Sequence, residues 1–222
     1  MKKYLPHLLI ILIAAVPVIY LATIYNSLPT GNTLPLHFDL NFKPNGFGDK
    51  SELLVASIIL AAVSVATYFM ITYLKLIDPK RRGLPTGTTF KRIGSGIVVF
   101  MAVLNFMIIE AASGNTKLSS QMLFPLIGLL LAFIGNYMNN IKPNYFAGIR
   151  LPWTLNNDEN WRRTHQFAGK LWFWGGLTGA AICLLFPSPT SRIIFIVIAG
   201  IIVILPTIYS YRIFRATKQE NV

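Results

Sequence analysis

No Asp, Glu, Lys or Arg interrupts residues 53–74, 93–109, 118–141, 171–191 or 193–211, uncharged runs of 22, 17, 24, 21 and 19 residues. Residues 4–38 are equally free of them. A helix needs about 20 mostly apolar residues to cross a bilayer, within a range of about 17–25. Six stretches meet that length, so the chain is expected to be an all-α membrane protein, a bundle of six transmembrane helices. Charged residues make up 13% of the sequence, about half the share of an ordinary soluble domain, which argues against a soluble alternative.

The formal net charge of +12 would suggest a nucleic-acid partner in a soluble protein. Its distribution points elsewhere. With the N-terminus inside, 16 of the 20 basic residues fall in inside segments, and only Lys43, Lys50, Lys117 and Arg192 fall outside. That is the positive-inside bias, and it predicts an N-in, C-in protein of the bacterial inner membrane, with no direct nucleic-acid binding. Basic residues precede the first apolar run, as in a signal peptide. That run is long and no small-x-small site follows it, so an uncleaved first helix is expected.

Spans are expected near residues 8–25, 53–76, 93–109, 122–138, 171–186 and 193–211. The first 76 residues form a helical hairpin with an outside loop at 26–52, and residues 77–222 form the second part, with spans three to six. Within the outside loop, residues 35–42 (PLHFDLNF) alternate like a short strand. Pro17, Pro125 and Pro206 fall inside predicted helices. Gly175 and Gly179 form a GxxxG pair, and Gly128 and Ala132 have the same spacing, so both mark sites of close helix approach.

Residues 139–170 carry the most information. Gly148 and Pro152 interrupt the helix, and Asn156 with Glu159 has the spacing of a capping box that restarts it. Asp158–Arg162 and Glu159–Arg163 are ordered as i,i+4 pairs. Trp161, His165, Ala168 and Trp172 share one face, which describes an amphipathic cytoplasmic helix between spans four and five. That face can lie against lipid headgroups or serve as a docking platform for a cytosolic protein.

Candidate ligand-binding residues in the outside loop are His37, Asp39, Asn41 and Asp49. Within the membrane, Asn105, Glu110 and Asn136 are the polar residues, suited to bridging helices or to lining a polar path. The three histidines lie on different sides of the bilayer, Cys183 is the only cysteine, and no phosphate-cradling glycine loop or HExxH pair occurs. No enzyme activity, metal or cofactor is expected.

The stretch NNIKPNYFAGIRLPWTLNNDENWRRTHQFAGKLW resembles the signature of the SdpI family of bacterial immunity proteins. The residues that carry the resemblance are Asn140, Pro143 and Asn144, then Gly148 and Arg150, Pro152, Trp153 and Thr154, and Trp161, Thr164 and His165. Residues 34–52 resemble the domain of unknown function that often precedes that signature. The resemblance implies protection against a secreted, membrane-active peptide toxin. It also implies capture of a cytosolic helix-turn-helix repressor, through the signature residues together with Arg162. A small-solute transporter or channel and a membrane scaffold are the alternatives.

Overall fold

The computed structural model describes residues 4–31, 33–39, 44–78 and 88–220. Its elements are α1 (Leu5–Ile24), a 3-10 turn (Tyr25–Ser27), β1 (Leu34–Phe38), β2 (Pro44–Gly48), α2 (Lys50–Thr72) and α3 (Leu74–Ile77). They continue with α4 (Thr88–Ala112), α5 (Thr116–Met138), α6 (Pro152–Leu155), α7 (Asp158–Leu185) and α8 (Pro189–Glu220). The six long helices are each long and apolar enough to cross a membrane. Val16, Ile59, Val63, Val197 and Ile204 are exposed on them. Such surfaces suit hydrocarbon as the solvent, because helices satisfy their own backbone hydrogen bonds there.

Helix ends depart from the uncharged runs. Span two was expected to reach residue 76, but α2 stops at Thr72 and a separate turn, α3, follows Tyr73. The amphipathic stretch after residue 157 is not a separate surface helix; α7 runs unbroken from Asp158 to Leu185 and includes span five.

The chain packs as two compact units. The first comprises Met1–Met70 and Gly94–Leu123, so most of α4 groups with α1 and α2. In this unit β1 and β2 pair antiparallel, from Leu34↔Gly48 to Phe38↔Pro44, with a bulge around His37. The alternation at residues 35–38 therefore does mark a strand. Leu34 joins Leu21, Leu28, Leu53, Ile109 and Ala112 in one buried cluster. A second cluster holds Ile10, Ala14, Tyr68 and Val98. Asn105 Nδ2 donates to the Ser57 carbonyl at 3.0 Å, a buried bridge from α4 to α2. The Tyr20 hydroxyl donates to Glu110, which also accepts from Asn115 Nδ2 at 3.0 Å.

The second unit comprises Ile71–Ile93 and Phe124–Val222. Here α7 uses two glycine faces. A Cβ added to Gly128 would lie 2.7 Å from the Gly176 carbonyl and 2.9 Å from Ala180 Cβ, so α5 and α7 meet almost backbone to backbone. A Cβ on Gly175 would meet Ile202 at 2.6 Å, and one on Gly179 would meet Phe195 at 2.7 Å, so the GxxxG face receives side chains of α8. Trp172 Nε1 also donates to the Ile202 carbonyl at 2.9 Å. Small residues make such approaches possible where dispersion, rather than the hydrophobic effect, holds helices together.

Gly176→Val is expected to destabilise the detergent-solubilised protein by about 1–3 kcal/mol through overpacking. Gly200→Ala, in open space, is expected to leave the thermal midpoint in near-UV circular dichroism within a degree or two of the parent (about 0.5 kcal/mol or less).

Candidate functional site

Between the end of α5 and the start of α7 the chain runs for 19 residues with only the short turn α6 inside it. Its backbone groups need partners, because a buried N–H or C=O left unpaired costs about 1–3 kcal/mol. Buried polar side chains supply them. Asn144, fully buried, uses its whole amide: Nδ2 donates to the carbonyls of Lys142 and Ala147, both at 2.9 Å. Its Oδ1 accepts from the amides of Phe146 and Ala147 at 2.9 and 2.7 Å. The Thr154 hydroxyl accepts from Leu151 N at 2.9 Å and donates to the Ile149 carbonyl at 2.8 Å.

Trp161 and His165 clamp this segment to α7. Trp161 Nε1 donates to the Ile141 carbonyl at 2.7 Å, and the two rings stack with centroids 4.1 Å apart. His165 Nδ1 lies 2.8 Å from the Trp161 carbonyl, while Nε2 accepts from Ile149 N at 3.0 Å. A carbonyl can only accept, so the proton belongs on Nδ1 and the lone pair on Nε2. Gly148 passes over this ring with φ +108, and a Cβ there would collide with Nε2. Glycine is required on both counts.

A second set of bonds ties the segment and the first turns of α7 to α8. Trp153 Nε1 donates to Ser210 Oγ at 3.0 Å, and Asn160 Nδ2 donates to the Ser210 carbonyl at 3.0 Å. Thr164 Oγ1 donates to Asn160 Oδ1 at 3.0 Å. The Trp153 ring lies against Tyr211 and Phe214. Beside it opens a groove of about 400 Å³ lined by Trp153, Phe214, Asn156, Asn157, Thr217 and Lys218 among others.

The signature residues thus divide. Asn144, Thr154, Trp161, Thr164 and His165 are buried. Trp161 and His165 are packed inside the segment and present no face to headgroups. Asn140, Gly148, Arg150, Pro152 and Arg162 are exposed, Pro143 and Trp153 half-buried. Arg150 Nη1 donates to the Tyr145 carbonyl at 2.8 Å. The cap of α7 is Asn157, accepting from Asn160 N at 2.8 Å; Asn156 instead closes α6. Arg162 pairs with Glu159, one position closer than the expected Asp158. Asn160, Ser210 and Asp78, whose carboxylate accepts from Tyr145 N at 3.1 Å, are members of the network that no local motif marks.

The remaining candidates lie elsewhere. Asp49 caps α2, accepting from the Ser51 hydroxyl and from the amides of Ser51 and Glu52 at 2.7 and 3.1 Å. The hydroxyl bond first, then the two backbone bonds, hold its acid below the ordinary aspartate value. The cap is therefore complete above that ordinary value and is lost only as pH falls through the lower folded one. His37 sits on β1 and Asp39 follows it, while Asn41 lies outside the described residues. Among the described residues no three His, Cys, Asp or Glu gather as a metal site. Asn136 is exposed near the end of α5.

Six apolar helices and a polar segment folded in on itself define a multi-pass bacterial membrane protein. Residues 140–210 match the SdpI/YfhL protein family, and residues 12–62 match a domain of unknown function, DUF1648. About a third of the chain is thus similar to the SdpI/YfhL family, and a stretch nearer the N-terminus is similar to that domain. The matched stretch runs from Asn140, the second residue of the irregular segment, to Ser210, which receives Trp153 and Asn160. Immunity protein SdpI of Bacillus subtilis (strain 168) is 28% identical over 89 residues, which is 40% of this chain and 42% of that protein. The match therefore spans less than half of that relative. No solved structure matches the chain.

Asn144→Ala is expected to destabilise the protein by about 2–3 kcal/mol, since four backbone groups lose their partner. His165→Ala is expected to cost about 2–4 kcal/mol by losing the ring stack and the Ile149 bond. Arg162→Ala, at an exposed ion pair, is expected to leave the thermal midpoint unchanged. Thermal unfolding of the three variants in one detergent checks all of this.

Proposed function

We propose that this protein is an integral-membrane immunity protein that protects its cell against a secreted, membrane-active peptide. One observation carries the proposal: the stretch that matches the SdpI/YfhL family, residues 140–210, coincides with the buried hydrogen-bonded segment and the helices that hold it. The excess of basic residues on one set of loops supports a cytoplasmic location for that segment, with the β-hairpin outside. In this arrangement the peptide meets the hairpin and the outer helix ends, where His37, Asp39, Asn41 and Asp49 are the polar candidates.

Output, on this proposal, uses the exposed part of the signature: Asn140, Arg150, Pro152, Arg162 and the Trp153 groove. A cytosolic helix-turn-helix repressor is the partner such a surface would capture. The buried residues Asn144, Thr154, Trp161, Thr164 and His165 act by shaping that surface, not by touching the partner. A peptide shifts such a protein only by binding two of its conformations unequally.

A sensitive bacterium expressing the chain is challenged with a panel of membrane-active peptides. Expression is expected to raise survival against at least one peptide. Trp153→Ala, in the groove, and Arg150→Ala, on the exposed part of the signature, both verified as inserted, are expected to lower that protection about tenfold or more. Absence of protection against every peptide, with insertion verified, would sink the immunity proposal.

A further inference from the structure

Lys170 is the last charged residue on α7 before the uncharged run at 171–191, and Lys142 is the first after the run at 118–141 that forms most of α5. The neighbouring parts of both helices therefore lie where the hydrocarbon phase ends. There Gly135 and Gly169 face one another: a Cβ on either would come within 2.9 Å of the other's carbonyl oxygen. Beside this close approach opens a cleft of about 480 Å³, lined by Asn136, Asn139, Gln166, Lys170, Phe173 and Trp174.

The chemistry of the lining is one-sided. It offers one ammonium and three amides, and no carboxylate. Asn136, Asn139 and Lys170 are exposed. Trp174 is 66% exposed, one helical turn beyond Lys170 and within the uncharged run. An indole at this level is typical of the aromatic belt at the edge of a bilayer. Polar donors thus stand at headgroup height, with aromatic faces one turn deeper, where acyl chains begin.

We propose that this cleft binds the headgroup of an anionic glycerophospholipid. The phosphate sits on the Lys170 ammonium, headgroup hydroxyls meet the amides of Asn136 and Asn139, and an acyl chain lies over Phe173 and Trp174. A zwitterionic ethanolamine lipid fits less well, because its ammonium finds no carboxylate in the lining. The cleft is built by α5 and α7 alone, so it stands or falls independently of immunity.

The full chain, purified in detergent, is incubated with equal amounts of phosphatidylglycerol and phosphatidylethanolamine, and retained lipids are counted by native mass spectrometry. Phosphatidylglycerol is expected to be retained about fivefold over phosphatidylethanolamine, the scale set by one cation at a lipid surface. Lys170→Gln is expected to remove that preference, Lys170→Arg to keep it, and Arg212→Gln, outside the cleft, to leave it unchanged. Phosphatidylglycerol with brominated acyl chains is expected to quench tryptophan emission less in Trp174→Phe than in the parent. No preference in the parent, or equal loss in Lys170→Gln and Arg212→Gln, would overturn the proposal. Displacement of the lipid by millimolar inorganic phosphate would identify a free-phosphate site instead and overturn it too.

Discussion

The hydrogen bond from Trp161 Nε1 to the Ile141 carbonyl, with the His165 ring stacked beneath it, is the contact on which the second unit depends. Irregular backbone beside a membrane is tolerated only where its polar groups are paired or face water. Nineteen residues of such backbone follow α5, and side chains of α7 and of the segment itself hold them. The energetic asymmetry is what matters. Each bond contributes about 1 kcal/mol when made, but leaving one buried partner orphaned costs about 1–3 kcal/mol. Such a network therefore specifies one path for the chain more strongly than it stabilises the fold.

That logic explains why the most distinctive residues of the sequence are largely out of sight. A tryptophan, a histidine and an asparagine near several arginines suggest a contact surface. Here they are the inward half of a surface whose outward half is Arg150, Pro152, Arg162 and part of Trp153. Exposed and buried residues alternate along the same short stretch, which is why a family signature alone does not separate them.

The six spans were legible because hydrocarbon demands long uncharged runs. The alternation at residues 35–42 pointed to a strand that is found at Leu34–Phe38, residues 40–42 lying outside the described residues. Helix ends were not. Ionisable residues locate the edge of the apolar run, whereas a helix ends where capping and packing decide. So α7 begins at Asp158, well ahead of its uncharged run, under an Asn157 cap. The periodicity of Trp161, His165 and Ala168 correctly placed them on one face. What covers that face is Ile141 and the turn at Gly148, brought there by φ +108, and no pattern in sequence states this. Asn160 and Ser210 are 50 residues apart; their bond is a property of the α7–α8 pair alone.

The unbroken course of α7 has a mechanical corollary. From Trp161 to Ala180 it spans roughly 28 Å at 1.5 Å per residue. One rod carries the clamp on the irregular segment at one end and the glycine seams along its other half. Its glycines are occupied by neighbouring helices, so bending there would first require those helices to separate. Because the His165 ring sits off the rod's axis, a turn of α7 about that axis would carry it sideways beneath Gly148. The lever is short, but it ends on the atoms that fix the loop.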